Sequence, residues 1–337
     1  MKAVAYQKSL PITDAAALQD VDLPAPQAGP RDLLVRVKAV SVNPVDTKVR
    51  LNTPAPEGQY KVLGYDAAGV VEAVGAEVTL FKAGDEVFYA GSITRPGTNS
   101  ELHVVDERIA GHKPANLDFA AAAALPLTAL TAWELLFDRL GVSADRTKKG
   151  EALLITGAAG GVGSILVQLA RQLTGLTVIG TASRPESAEW IKNLGAHHVI
   201  DHSKSMVDEL KRIGVPQVTY VASLTHTHDY YAQFIEVLAP QGKLGLIDDP
   251  EAIDLRQLKR KCLSLHWEFM FARAMYETAD MVRQHEILDS VATLIEQGVL
   301  KGTASESFGR INAENLRRAH ALLESGKARG KIVLEGF

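Results

Sequence analysis

Ala152-Leu153-Leu154-Ile155-Thr156-Gly157-Ala158-Ala159-Gly160-Gly161-Val162-Gly163-Ser164 runs from an apolar stretch of strand length into a cluster of glycines. Ile165-Leu166-Val167-Gln168-Leu169-Ala170 follows at once, with aliphatic residues on one face at helical spacing, so the glycines sit at a strand-to-helix turn. Glycine serves three needs at such a turn: the chain can bend sharply, the backbone can approach a pyrophosphate, and the helix can pack close to the strand. The helix N-terminus then presents unpaired N–H groups and the positive end of its dipole to the phosphates. The spacing is G-x-x-G-x-x-G, through Gly157, Gly160 and Gly163, in place of the commoner G-x-G-x-x-G. Gly157, Gly160, Gly161, Val162 and Gly163 are therefore the candidate cofactor-binding turn.

Working outward from it, residues after Glu151 alternate between strand and helix. Strands are expected at 152–157, 176–182, 197–201, 216–223 and 242–247, with helices at about 161–173, 186–194, 204–213 and 228–239. That alternation implies right-handed βαβ units and a parallel sheet. Lys261 to Trp267 is a possible sixth strand. Helices are expected near 276–298 and 313–325, then a closing strand, Lys331-Ile332-Val333-Leu334-Glu335, that returns to the first domain. Residues 1 to about 125 read as β-rich, with strands at 33–40, 69–75 and 84–89 and prolines at 24, 26, 30, 44, 54 and 56 that keep elements short. A helix is expected at about 127–140, and a charged loop, 145–150, precedes the central strand.

Composition bounds the function. The 337 residues suit about two domains, and 46% apolar with 23% charged residues is an ordinary globular balance. Lys plus Arg number 36 against 40 Asp plus Glu, a net charge of −4, which gives no support for a nucleic-acid partner or an anionic membrane surface. No secretion signal and no membrane-spanning run are read. The single cysteine, Cys262, excludes an intrachain disulfide and a thiolate zinc cluster, and it fits a reducing cytoplasm.

Gly64-Tyr65-Asp66-Ala67-Ala68-Gly69, then Gly75, Val78, Gly84-Asp85 and Val87, resembles the signature of the medium-chain dehydrogenase/reductases, and the resemblance runs nearly end to end. It implies an α/β protein with a GroES-like β-rich catalytic domain plus a Rossmann doubly wound parallel-sheet domain. The expected boundaries are 1–125, completed by 271–337, and 126–270. Val42-Asn43-Pro44-Val45-Asp46 and the glycine turn resemble the quinone oxidoreductase branch, and the whole is similar to the group labelled zinc-type alcohol dehydrogenase-like.

A catalytic zinc needs three protein ligands and an open position. The family ligand positions fall on Asn43, Tyr65 and about Ala124, and the stretch Gly91 to Thr98, where a structural zinc loop would lie, has no cysteine. A zinc-free member is the expectation. Without a Lewis acid to polarise an alcohol, hydride transfer to electron-poor acceptors remains, because the nicotinamide carries the chemistry. Quinones and α,β-unsaturated carbonyls are such acceptors.

For the nucleotide, the second strand ends Thr181-Ala182-Ser183-Arg184, with no carboxylate to hold the ribose 2′-hydroxyl of NAD. Arg184 can pair with a 2′-phosphate while Ser183 donates to it, so NADPH is the expected cofactor. Ser183 also reads as a cap for a helix beginning at Pro185. His202 is either near the adenosine phosphate or a loop histidine. Ser223, Leu246 and Ile247 lie at carboxyl ends of strands, where such sheets bind ligands. Thr128 resembles the family threonine near the nicotinamide, or is a helix-start hydroxyl.

Tyr65 is the candidate hydrogen-bond donor to the substrate oxygen, against an aromatic that only packs. Asn43 orients the nicotinamide ribose or a substrate carbonyl, or caps the turn before Pro44. Asp46 is a catalytic candidate that also reads as structural, and Asp66 pairs with a basic residue below the cleft between the domains. His226-Thr227-His228 and His197-His198 are not read as metal sites. The loop Gly91 to Gly97 is guessed to be a mobile cover. The expected activity is zinc-independent, NADPH-dependent reduction of quinones or enones. Alternatives are an alcohol dehydrogenase or carbonyl reductase on simple carbonyls, and a non-catalytic NADPH-binding sensor. The family implies a homodimer through the sixth strand.

Overall fold

The structure, a computed structural model, describes residues 1–147 and 149–337; Lys148 in the expected charged loop lies outside the described residues. The chain divides into two compact units, Met1–Leu130 with Phe271–Phe337, and Thr131–Met270.

In chain order, the first unit begins with β1 (Lys2–Tyr6), β2 (Gln19–Asp22), β3 (Asp32–Val42), α1 (Pro44–Asn52), β4 (Lys61–Val62), β5 (Ala67–Val74), β6 (Glu86–Tyr89), β7 (Leu102–Asp106) and β8 (Ala110–His112). Two short helices follow, α2 (Phe119–Ala123) and α3 (Pro126–Trp133). The second unit holds β9 (Ala152–Thr156), α4 (Gly161–Leu173), β10 (Thr177–Thr181), α5 (Pro185–Asn193), β11 (His198–Ile200), α6 (Met206–Arg212), β12 (Val218–Ser223), α7 (Thr227–Val237), β13 (Leu238–Leu246) and β14 (Ser264–Trp267). The chain then returns to the first unit with α8 (Ala272–Met275), α9 (Arg283–Glu296), β15 (Ala304–Ser307), α10 (Ala313–Glu324) and β16 (Lys331–Glu335).

The second unit is a six-stranded, all-parallel sheet in the order β11-β10-β9-β12-β13-β14. That is the doubly wound Rossmann order, and its direction reverses between β9 and β12, the switch point at which such sheets bind ligands. β9 is buried at every position, which is why it reads as a continuous apolar run instead of an alternating one. The first unit contains the sheet β15-β16-β3-β5-β6-β8, with β7 on β3, and a small sheet β2-β1-β4. β16 pairs antiparallel with β3, Ile332 opposite Val42 and Leu334 opposite Val40. The expected return of the last strand to the first domain is what the chain does.

Several elements depart from the sequence expectation for local reasons. The alanine run 120–124 folds as α2, capped by the Asp118 carboxylate on the N–H of Ala121. The helix expected over 127–140 is α3, followed by a wider π-helical turn over Glu134–Arg139. Phe119–Arg139 is the one helical run among the described residues long and apolar enough to cross a membrane, but 78% of its apolar window is buried inside the protein. The helix expected over 276–298 starts only at Arg283. The Asp280 carboxylate accepts bonds from Arg273 Nε at 3.0 Å and Thr278 Oγ1 at 2.7 Å. Such local bonds compete with helix formation, and Glu277 turns to φ 45°.

The π turn brings two acids together in the second unit. Glu134 and Glu268 are both buried, and Arg139 Nε donates to Glu268 Oε2 at 2.8 Å while Arg139 lies 3.9 Å from Glu134. Burial, then the Glu134 charge, raise the Glu268 carboxyl to about 9 against the pull of Arg139. Because the folded value lies above the ordinary 4.5, this contribution to stability is fully present below that pH. It declines as pH rises towards about 9, by at most ~1.4 kcal/mol per pH unit. Glu268→Gln should flatten that decline. Urea titrations of both proteins at pH 5, 7 and 8.5 check it, and parallel pH slopes would refute it.

Candidate active site

The nucleotide cradle forms where β9 meets α4. Gly157 has φ +66°, and a Cβ there would lie 3.1 Å from Thr225 Cγ2, in the segment that follows β12. Gly160 is the N-cap of α4, and Gly161 and Val162 open the helix, part exposed. Gly163 is buried; a Cβ on it would meet Ala158 Cα and Gly157 O, both at 2.5 Å. Those are backbone atoms that cannot step aside, so only glycine lets the helix lie this close to the turn. This is the turn that the sequence marks as the candidate cofactor site.

Ser183 and Arg184 are both exposed beyond β10. The N-cap of α5 is Arg184, with no side-chain cap, so the capping role considered for Ser183 is not what the chain uses. Neither side chain has a hydrogen-bond or ion-pair partner among the described residues. His202 is half-buried, its Nδ1 is shut off from water without a hydrogen-bond partner among the described residues, and burial lowers its pKa.

Three expected cofactor contacts are corrected. The Ser223 hydroxyl is fully buried, 2.7 Å from Thr227 Oγ1 and 3.5 Å from Thr156 Oγ1. Leu246 is buried too, and its carbonyl accepts the Glu268 N–H at 2.9 Å. Of that group only Ile247 reaches the surface in part. Thr128, in the first unit, is buried and donates to Leu125 O at 3.0 Å, so its hydroxyl serves the helix start.

In the first unit the candidate chemistry is organised around a buried lysine. Lys331 Nζ donates to Val42 O at 3.0 Å, to Asp66 Oδ2 at 2.8 Å and to Asn43 Oδ1. Asn43 Nδ2 donates to Asp66 Oδ2 at 2.8 Å, and the Leu127 N–H donates to Asp66 Oδ1 at 2.7 Å. Burial pushes the Asp66 carboxyl up, opposed by Lys331 and these donors. Asp46 accepts from the N–H groups of Asn43 at 2.7 Å and Gly64 at 3.0 Å. Burial raises it to about 7, with Asn43, Lys331 and Gly64 pulling it down. Asn43 and Asp46 are each 1% exposed with their polar atoms committed inward. Both are corrected from catalytic candidates to scaffold: the amide belongs to the Lys331 cluster and the carboxylate closes the start of α1. Asp66 has the basic partner expected of it.

Tyr65, between Gly64 and Asp66, is the exception. Its ring is buried, edge-on to Phe271 at 5.3 Å. Its hydroxyl has no hydrogen-bond partner among the described residues and is not sealed from water. Burial first, then the Asp46 charge, push its pKa well above the ordinary phenol. It is a neutral O–H donor with no acceptor among the described residues.

A zinc ion does not fit here. Ala124 has no donor side chain, the Asn43 amide is occupied, and a fixed ammonium lies against Asn43 and Asp66 where a second cation would be repelled. Cys262 stands in the other unit. The loop 91–97, guessed from sequence to be a cover, is tied to its surroundings. Arg95 makes two bonds to Asp32 at 2.8 and 3.0 Å, His103 Nε2 bonds Pro96 O at 3.0 Å, and the Gly97 N–H bonds Val62 O at 3.0 Å.

Residues 29–115 match the family profile of the alcohol dehydrogenase GroES-like domain, and residues 194–334 match that of zinc-binding dehydrogenases. A zinc-type alcohol dehydrogenase-like protein of Staphylococcus aureus (strain MSSA476) is 40% identical over 338 residues, covering 99% of both chains. The chain belongs to the medium-chain dehydrogenase/reductase superfamily. Among solved structures, a Rhizobium etli CFN 42 protein provisionally described as a zinc-dependent alcohol dehydrogenase is 58% identical. It has a TM-score of 0.97 and the match covers 100% of this chain and 98% of that one. Escherichia coli quinone oxidoreductase complexed with NADPH is 27% identical with a TM-score of 0.84, covering both chains fully. The superfamily member described here is an oxidoreductase with a GroES-like and a Rossmann domain.

Lys331 was not among the residues singled out from the sequence; it heads an apolar strand, where a lysine usually reads as a solvated edge. The cradle gives a direct test. Gly163→Val should weaken binding of a nicotinamide dinucleotide at least ~10-fold, measured by fluorescence titration, while leaving the first unit's packing intact. Unchanged affinity would show that the helix does not need this close approach.

Proposed function

We propose that the protein is a zinc-independent, NADPH-dependent reductase that delivers hydride to quinones or α,β-unsaturated carbonyls. The observation that carries the proposal is the Tyr65 hydroxyl, a neutral donor without a partner among the described residues, at a position where zinc relatives place a metal ligand. NADPH, when bound, supplies the hydride. Tyr65 hydrogen-bonds the acceptor oxygen and passes its proton as charge develops there, and solvent restores that proton. Conjugated acceptors suit this donor because they spread the developing charge without a Lewis acid. Ser183 and Arg184, exposed and uncommitted at the end of β10, support the 2′-phosphate of NADPH over the 2′-hydroxyl of NADH.

The proposal extends to assembly and place. β14 stands at the open edge of its sheet with Trp267 and Phe269 exposed beside it, which favours a homodimer paired along that edge. Nucleic acid and membrane are not expected partners, and the cytoplasm is the expected compartment.

Oxidation of NADPH with a chelator present should proceed with quinones and enones and be slow with simple aldehydes. Activity confined to aldehydes and abolished by the chelator would overturn the proposal, and tight NADPH binding without turnover would indicate a sensor. Arg184→Ala should raise the KM for NADPH roughly tenfold and leave that for NADH unchanged; equal effects would remove the NADPH assignment. Light scattering should give twice the 36.3 kDa chain mass, and a monomeric value would remove the dimer.

A further inference from the structure

We infer that Lys331 is a positioning residue for the reaction, holding Tyr65 in its donor geometry through Asp66 and Asn43. The inference rests on the proposed role of Tyr65. Lys331 is 3% exposed, at the first position of β16, and its ammonium has three protons for three acceptors. All three acceptors lie on segments that frame Tyr65. Val42 and Asn43 form the junction of β3 and α1, and Asp66 follows Tyr65 directly.

The residues on either side of Tyr65 are each fixed by a carboxylate. Asp66 is tied by its own side chain to Lys331, to Asn43 and to the start of α3 at the Leu127 N–H. Gly64 gives its N–H to Asp46 Oδ1, and Asp46 also accepts from Asn43, whose amide is held by Lys331. Gly64 has φ +111°, and a Cβ there would lie 2.5 Å from Thr98 Oγ1. Thr98 in turn donates its N–H to Gly64 O at 2.9 Å and its hydroxyl to Asp66 O at 3.2 Å. The backbone on both sides of the tyrosine is therefore held in place, and the buried ring packs edge-on to Phe271, so the position of its hydroxyl depends on this clamp. Two buried carboxylates share this clamp with a single ammonium. Without Lys331, one of them must take up a proton or draw in water, because like charges this deep cannot both stay ionised. Either change releases Asn43 or Gly64 and lets Tyr65 turn. The cofactor turn and Arg184 belong to the other unit.

The test is a double-mutant cycle in which NADPH-dependent reduction of a benzoquinone is measured for wild type, Lys331→Met, Tyr65→Phe and the double variant. Lys331→Met should lower kcat at least ~10-fold with the KM for NADPH within about twofold of wild type. In the Tyr65→Phe background the same substitution should cost less than about twofold, because the group it positions is gone. Effects that multiply independently, or a Lys331→Met enzyme with wild-type kcat, overturn the inference. If Tyr65→Phe alone keeps full turnover, the donor role of Tyr65 fails first and the inference falls with it, a result distinct from independent effects. Should Lys331→Met not fold, Asp66→Asn, equal in size and uncharged, takes its place in the cycle with the same expectations.

Discussion

A lysine ammonium taken out of water is among the most expensive groups a fold can bury, and Lys331 is buried with its full set of partners. The expense is met only because β16 runs alongside β3, placing residue 331 beside the end of that strand. The last strand of the chain, the turn into α1 and the segment carrying Tyr65 are thus one electrostatic unit. Losing either Asp66 or Lys331 leaves a buried charge without its counter-ion, which is costlier than never having formed the cluster. That asymmetry gives the first unit a strong reason to keep its C-terminal strand in register. A one-residue slip would turn the ammonium to the other face of the sheet.

The second unit meets its demand with shape. Among the described residues backbone clearance fixes the turn between β9 and α4, through Gly157 in the left-handed region and Gly163 with no room for a Cβ. The carboxyl ends of β9 and β12 are closed by hydroxyls bonded to one another, Thr156, Ser223 and Thr227. Asp248 accepts the Thr227 N–H at 2.8 Å as well as its hydroxyl. Of these groups Ser223 reads from sequence as a cofactor contact, because of where it lies along its strand. They turn out to be the floor on which the cradle stands. Position at a strand end is a property of the backbone, whereas availability depends on what the side chain meets, and only the latter decides whether it can hold a ligand.

The same distinction explains how much could be read from the sequence. The alternating strands and helices of the second unit were legible, because a parallel strand covered on both faces is an apolar run and each helix has its own apolar stripe. The glycine turn was legible because its requirement is local. α1 was silent: Pro44 to Asn52 has no apolar stripe, and it buries Asp46, Thr47 and Arg50. Arg50 is fully buried and bonds Leu10 O and the Glu324 carboxylate, partners remote in sequence. The helix over 276–298 was over-read for the opposite reason, since residues 276–282 carry no breaker and are held out of helix by Arg273 and Asp280. Asp66 was seen to need a base, but which base depends on strand register across the whole chain. Asn43 and Asp46 were noticed for the right stretch and given the wrong task, because sequence shows a polar group and not the partner that consumes it.

A metal and a phenol would act on an acceptor oxygen in different ways, and the surroundings of Tyr65 bear on which substrates suit it. A metal polarises the oxygen before reaction and binds an alkoxide as readily as a carbonyl, so it serves oxidation and reduction alike. A phenol whose pKa is pushed up by burial and by the Asp46 charge is a weak acid: it donates a hydrogen bond in the ground state and yields its proton only when the acceptor oxygen becomes basic. That happens as hydride arrives at a quinone or enone, so the stabilisation grows towards the transition state. The burial and carboxylate that raise the phenol oppose loss of its proton in either direction of the reaction. On the proposed reading, Tyr65 therefore serves best as a hydrogen-bond donor to an oxyanion, with the final proton drawn from water, and conjugated acceptors suit it because they spread that charge themselves.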